Sequence, residues 1–266
     1  MHRSQCYARF RGNFLKIILA DAGKPFTTAT PQETVRIKSM PVSEQPVPVL
    51  APPIVTVGGF TINQTPAAAQ YLARKLGYEP ESAEESAIAL KVVLDLNDII
   101  AELTRNNGSQ MWDKEAWTGF TTARLPRWLS VIDALATRVS GDFLFGAKIS
   151  YADLAICHVF DMLGTQLGMR DFLERHASHA LALADRCAAR EGVAKLFKAQ
   201  ATEYGTSYVL CVSPCSRGPL RARVRSRSAC VRAGCVSHRD RDRTCGGQIE
   251  KSIRDMIALG VHNPSE

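Results

Sequence analysis

Gly146-Ala-Lys-Ile-Ser-Tyr-Ala-Asp-Leu-Ala-Ile-Cys-His-Val-Phe160 is the stretch that decides the fold. Ser150 and Asp153 form an S-x-x-D signal for the start of a helix. The serine hydroxyl can accept from the Asp153 N–H, and the carboxylate can accept from the Ser150 N–H. Ile149 and Leu154 stand at the N′ and N4 positions of a hydrophobic staple. Beyond the cap come Leu154, Ala155, Ile156, Val159, Phe160, Met162 and Leu163, apolar almost all round. Such a helix belongs in the middle of a helical domain, since every face must be covered.

The string Phe143-Leu-Phe-Gly-Ala-Lys-Ile-Ser-Tyr-Ala-Asp153 resembles the turn and capped central helix in the carboxy-terminal domain of cytosolic glutathione transferases. The resemblance implies an α/β thioredoxin-like N-terminal domain followed by an all-α C-terminal domain. The catalytic half is then expected upstream.

Composition bounds the reading. The chain has 266 residues, 45% of them hydrophobic, enough for a sizeable core and two domains. Its formal net charge is +7, yet nine arginines and two aspartates between Cys211 and Cys245 account for all of it. The remainder is electrostatically neutral. Five of the eight cysteines lie in the same segment, leaving Cys6, Cys157 and Cys187 elsewhere. Three scattered thiols make no disulfide framework, so a reducing, cytoplasmic setting is expected. No apolar run is long enough to span a bilayer. The Arg-rich segment lacks a helical or strand period and an apolar face, and its cysteine spacings match no standard zinc finger. Aromatic residues do not interleave its arginines, so neither nucleic acid nor a metal is expected there. We read residues 206–266 as a disordered or spurious tail.

Along the chain, Ser4–Phe10 reads as a short strand, and Phe14–Ala22 as a one-sided helix stopped by Gly23. Residues 27–47, with Pro31, Pro41 and Pro46, read as loop with at most one poor helix. Pro48-Val-Leu and Ile54-Val-Thr-Val read as strands, with a turn at Gly58-Gly59. Thr65-Pro66 opens a helix to Leu76, with Thr at the cap and Pro at the first helical position. This is a small α/β unit over 1–77, followed by a linker over 78–83. Helices follow over 84–205: Ala83–Arg105, Lys114–Val139, Ser150–Leu167 and about Asp171–Gln200.

The glutathione transferase resemblance runs over about residues 5–200. Tyr7-Ala-Arg-Phe-Arg-Gly12 is similar to the end of the first strand in the sigma, pi and alpha classes, whose chemistry depends on that tyrosine. Lys38-Ser-Met-Pro, Gln45-Pro-Val-Pro-Val-Leu50, Gln64-Thr65 and Asn97-Asp98 resemble further family motifs. It implies that Tyr7 is catalytic, with Arg11, Lys38, Val47, Pro48, Gln64, Thr65 and Asp98 binding glutathione. Pro48 would be the family's cis-proline, with Pro46 as competitor, and Asp98 would reach across a dimer. Glutathione is then a co-substrate, no other cofactor is required, and the partners are a small electrophile and a second copy of the chain.

The chemistry can be stated without the family. A thiol has a pKa near 8.5, so little of it is thiolate at neutral pH. A phenol O–H donated to sulfur favours the anion, about 1.4 kcal/mol for each pKa unit. Gln64-Thr65-Pro66 offers a carboxylate an amide, a hydroxyl and the positive end of a helix.

Departures from the family pattern are Asn13 where relatives carry Arg, Ala68 where Ile is usual, and a polar first strand. They leave a catalytically weak binding module as the alternative. His158, His176 and His179 form no ligand pair, and Trp112, Trp117 and Trp128 read as packing.

Overall fold

A computed structural model describes residues 2–4, 10–105, 110, 112–138 and 141–204. Tyr7, Cys6 and the Arg-rich segment lie outside the described residues. The first half is built from β1 (His2–Ser4), α1 (Asn13–Asp21), β2 (Phe26–Thr28), α2 (Pro31–Ser39), β3 (Ile54–Val57), β4 (Phe60–Asn63) and α3 (Thr65–Leu76). Strand order is β2-β1-β3-β4. β1 runs parallel to β2, with Ser4 beside Thr28, and antiparallel to β3, with Ser4 beside Val55. β4 returns antiparallel to β3, pairing Asn63 with Ile54. This βαβ unit followed by a ββα unit is a thioredoxin-like domain.

The sequence reading missed the strands β2 and β4, and the one poor helix it allowed within 27–47 is α2. β2 is only three residues long and too short to show a period. α2 begins with a complete capping box: Thr30 Oγ1 accepts from the Glu33 N–H at 3.2 Å, and Glu33 Oε2 accepts from the Thr30 N–H at 2.8 Å. The Thr30-Pro-Gln-Glu33 signal was present and obscured by the surrounding prolines. Pro48-Val-Leu50, by contrast, is no strand. Val49 is buried with Ile37 and Ile54, and Val47 packs against that small cluster. Gln45 fixes the loop by donating to the Ile37 carbonyl at 3.2 Å and accepting from the Val49 N–H at 2.7 Å. The second β-strand of the hairpin is Phe60–Asn63, after the glycine turn.

The second half is all helix: α4 (Ala83–Leu103), α5 (Lys114–Gly119), α6 (Leu125–Ala136), α7 (Tyr151–Asp161), α8 (Arg170–His176), α9 (Ser178–Ala188) and α10 (Glu191–Tyr204). Single π-type turns, Phe120–Arg124 and Met162–Gln166, interrupt what periodicity alone reads as continuous helices. The final expected helix is three, broken at Ala177 and at Arg190. α7 is the centre of this half, with every residue from Tyr151 to Phe160 buried. It packs on α4, α9 and α1.

The capping box opens α7 as the sequence predicts. Asp153 Oδ2 accepts from the Ser150 N–H at 2.7 Å and from its hydroxyl at 2.6 Å, and Ser150 Oγ accepts from the Asp153 N–H at 3.4 Å. Asp153 Oδ1 also accepts from the Leu144 N–H at 2.8 Å, pinning the preceding turn. α1, expected to be one-sided, is buried from Asn13 to Leu19. It lies against α3, α7 and α10, so both halves of the chain cover it.

Candidate functional site

Strand directions gather the site. β1 ends at Ser4, β2 ends at Thr28 beside it, β3 begins next to Ser4, and β4 ends next to the start of β3. One edge of the sheet therefore collects the loop after β1, the entry to α2, the approach to β3 and the Gln64-Thr65 entry to α3.

Gln64 is exposed, and its backbone sits at φ 65°, ψ 117°, a left-handed conformation rare for a residue with a side chain. Thr65, rather than Pro66, is the first helical residue, one position earlier than the cap assignment from sequence. The Gln64 carbonyl accepts the first-turn N–H of Ala68 at 2.9 Å. Thr65 is only 2% exposed, and its hydroxyl has no hydrogen-bond partner among the described residues. A buried hydroxyl without a partner is uncommon in folded proteins, and with Pro66 lacking an N–H and Ala68 bonded to Gln64, only the Thr65 and Ala67 N–H groups stand ahead of the helix ladder. They stand at the positive end of a twelve-residue helix, where an acceptor is favoured.

Arg11 lies in the loop from β1 into α1. Its Nε donates to Asn97 Oδ1 of α4 at 3.1 Å, and its guanidinium lies 4.8 Å from the centre of the Phe10 ring. The Asn97-Asp98 pair is thus split in role: Asn97 reaches the loop, while Asp98 is exposed on α4. Lys38 is exposed near the end of α2.

Before β3 the structure corrects the sequence assignment. The cis peptide is Pro52–Pro53, not Val47–Pro48. Pro48 is exposed, and the Val47 side chain turns to the Ile37 cluster instead. Pro53 is buried and leads directly into Ile54. Pro52 has no N–H, so a peptide aligned with its backbone meets an acceptor and no donor.

Asn13, the departure from the family's arginine, is fully buried and committed elsewhere. It accepts from Gln200 Nε2 at 2.7 Å and faces His158 Nδ1 through its amide nitrogen at 3.2 Å. His158, one of the scattered histidines, is buried in the middle of α7. The two buried thiols, Cys157 and Cys187, are pushed well above the usual thiol range by burial, which removes them as nucleophiles. Trp112, Trp117 and Phe120 form an edge-and-tilt aromatic cluster in the core, as expected of packing residues. Trp128 donates to Glu102 at 2.8 Å, and Glu102 also pairs with Arg124, which holds its carboxyl below the usual range.

Residues 88–213 match the family described as Glutathione S-transferase, C-terminal domain. The chain is 29% identical over 178 residues to Probable glutathione S-transferase 6 of Caenorhabditis elegans, covering 64% of this chain and 84% of that protein. In fold it is similar to the Pi-class glutathione S-transferase of Onchocerca volvulus, with TM-score 0.65 at 19% identity over 76% of this chain and 94% of that one. It is similar also to prostaglandin synthase D of Nilaparvata lugens, with TM-score 0.61 at 17% identity over 74% and 97%.

Proposed function

The chain belongs to the glutathione S-transferase family, and we propose that it conjugates the glutathione thiolate to small electrophilic molecules. The observation that carries this reading is the buried, unpartnered Thr65 hydroxyl beside the left-handed Gln64. In the proposed complex that hydroxyl, the Thr65 and Ala67 N–H groups of α3 and the Gln64 amide hold the γ-glutamyl carboxylate. The cysteinyl backbone pairs with the main chain of the loop before β3, the segment to which the resemblance assigns Val47 and Pro48. Tyr7 donates its phenol O–H to the thiolate, which lowers the thiol pKa and raises the fraction of nucleophile at neutral pH. Arg11 lines the site from the loop, Lys38 meets the glycyl carboxylate, and Asp98 reaches the ligand of a second copy. A homodimer in the cytoplasm completes the reading.

A second reading, a binding module without turnover, is favoured by two observations. Asn13 is occupied by Gln200 and His158, and Pro52 lacks the N–H a peptide partner needs. Titration calorimetry with glutathione separates the two. The enzyme reading expects binding, release of the thiol proton, and turnover of an aromatic halide that Tyr7→Phe reduces. Absence of binding at millimolar glutathione would select the module.

A further inference from the structure

Phe10 is the last residue before the Arg11-Gly12 turn into α1, and its carbonyl is held from two sides. The Asn13 N–H donates to it at 2.8 Å within the turn. His158 Nε2 reaches it at 3.0 Å from α7, 148 residues away in sequence. A carbonyl only accepts, so Nε2 carries the ring proton. Nδ1 then accepts from the Asn13 amide at 3.2 Å, and Asn13 Oδ1 accepts from Gln200 Nε2 at 2.7 Å. His158 and Asn13 are fully buried, and Gln200 nearly so. The row ends at Gln200 Oε1, which has no partner among the described residues. Four groups from the loop, α1, α7 and α10 are thus joined in a single donor-to-acceptor order.

We propose that His158 is a positioning residue of the glutathione site: it fixes the Phe10–Gly12 turn, and through it the backbone that presents Arg11. The proposal rests on the glutathione reading. A row of buried hydrogen bonds has one satisfied arrangement, and a wrong donor leaves a polar group stranded. The turn therefore has one geometry as long as the helical half holds it. The guanidinium of Arg11 is held from that half too, by Asn97. Two tethers, one on the carbonyl and one on the side chain, define where Arg11 faces the sheet edge. Nothing in the histidine's own neighbourhood in sequence signals this, because all of these partners lie in other elements.

The test compares wild type, His158→Leu and His158→Gln. Glutamine carries both a donor and an acceptor and can reproduce both contacts. Leu129→Ala, a cavity in α6 away from the turn, controls for general loss of stability. Amide hydrogen exchange reads the turn directly at Asn13, and calorimetry reads glutathione affinity. In His158→Leu we expect exchange at Asn13 about tenfold faster and glutathione binding about tenfold weaker, the factor for one hydrogen bond to a buried acceptor. His158→Gln should recover most of both, and Leu129→Ala should change neither. Unchanged exchange in His158→Leu, a glutamine variant no better than leucine, or equal losses in Leu129→Ala would each overturn the proposal. If wild type binds no glutathione, the glutathione reading falls and takes the affinity claim with it. Exchange at Asn13 still decides which residue holds the turn.

Discussion

Arg190 and Asp21 join the two halves of the chain through a bidentate pair, Nε to Oδ1 at 2.6 Å and Nη2 to Oδ2 at 2.9 Å. Asp21 closes α1, and Arg190 stands between α9 and α10. The Tyr78 hydroxyl, from the linker, donates to the same Oδ2 at 2.7 Å. The pair is asymmetric: the Asp21 side chain is 1% exposed and the Arg190 side chain 39%. Removing the arginine strands a buried carboxylate, whereas removing the aspartate leaves an arginine that water can reach. Arg190→Leu should therefore cost about 2–4 kcal/mol and Asp21→Asn about 1–2 kcal/mol. Denaturant unfolding of both variants checks the order, and an aspartate variant that is the weaker of the two contradicts it.

The same node sets an alkaline limit. Burial, followed by the hydrogen bond to Asp21 and its charge, pushes the Tyr78 phenol well above its ordinary value near 10. The folded state then keeps its proton at a pH where the unfolded chain has lost it. Stability is fully present below about pH 10 and falls as pH rises from the unfolded toward the folded pKa. Tyr78→Phe should lose stability at neutral pH, by about 1 kcal/mol for the missing hydrogen bond. Above pH 10 its unfolding curve should flatten relative to wild type. Parallel losses in the two proteins through the alkaline range would refute the assignment.

Gly192, in the first turn of α10, lies where a Cβ would stand 2.1 Å from the Ala20 carbonyl oxygen and 2.7 Å from its carbon. Both obstacles are backbone in a buried helix, so neither side chain nor solvent can yield. Gly192→Ala should force α10 away from α1 and cost about 1–3 kcal/mol despite alanine's better helix propensity. A variant as stable as wild type by thermal unfolding would mean that the two helices can separate freely.

These contacts show which parts of the fold the sequence could express. The central helix was legible because Ser150 and Asp153 signal each other across three residues and the staple lies beside them. The start of the helix at Thr65-Pro66 was legible to within one residue from its own cap chemistry, whereas the strand ahead of it, Phe60–Asn63, was not. The cis bond at Pro53 was not. Pro46, Pro48 and Pro53 look alike in sequence, and tertiary surroundings select the isomer. His158 read as an isolated histidine because Phe10 and Asn13 lie almost 150 residues upstream. Gly119 before the first π-type turn and Gly164 inside the second leave the helical pattern unbroken, and the break at Ala177 carries no glycine or proline, so periodicity ran straight through.

Asp153 is the position at which a local signal and the tertiary fold coincide. Its carboxylate accepts three hydrogen bonds, two from Ser150 and one from the Leu144 N–H. Asp153→Ala removes the cap of α7 and strands buried donors in the turn before it, so it should cost about 2–4 kcal/mol. Asp153→Asn keeps one oxygen and should cost less. Burial raises the carboxyl above its ordinary value, with the hydrogen bonds opposing that shift. The folded state therefore binds the proton more readily than the unfolded chain. Wild type should gain stability relative to Asp153→Asn as pH falls through the folded pKa toward the unfolded value near 3.9. Urea unfolding of both proteins across the acid range reads this difference. If it instead grows as pH rises, the hydrogen bonds outweigh burial and the carboxyl lies below its ordinary value.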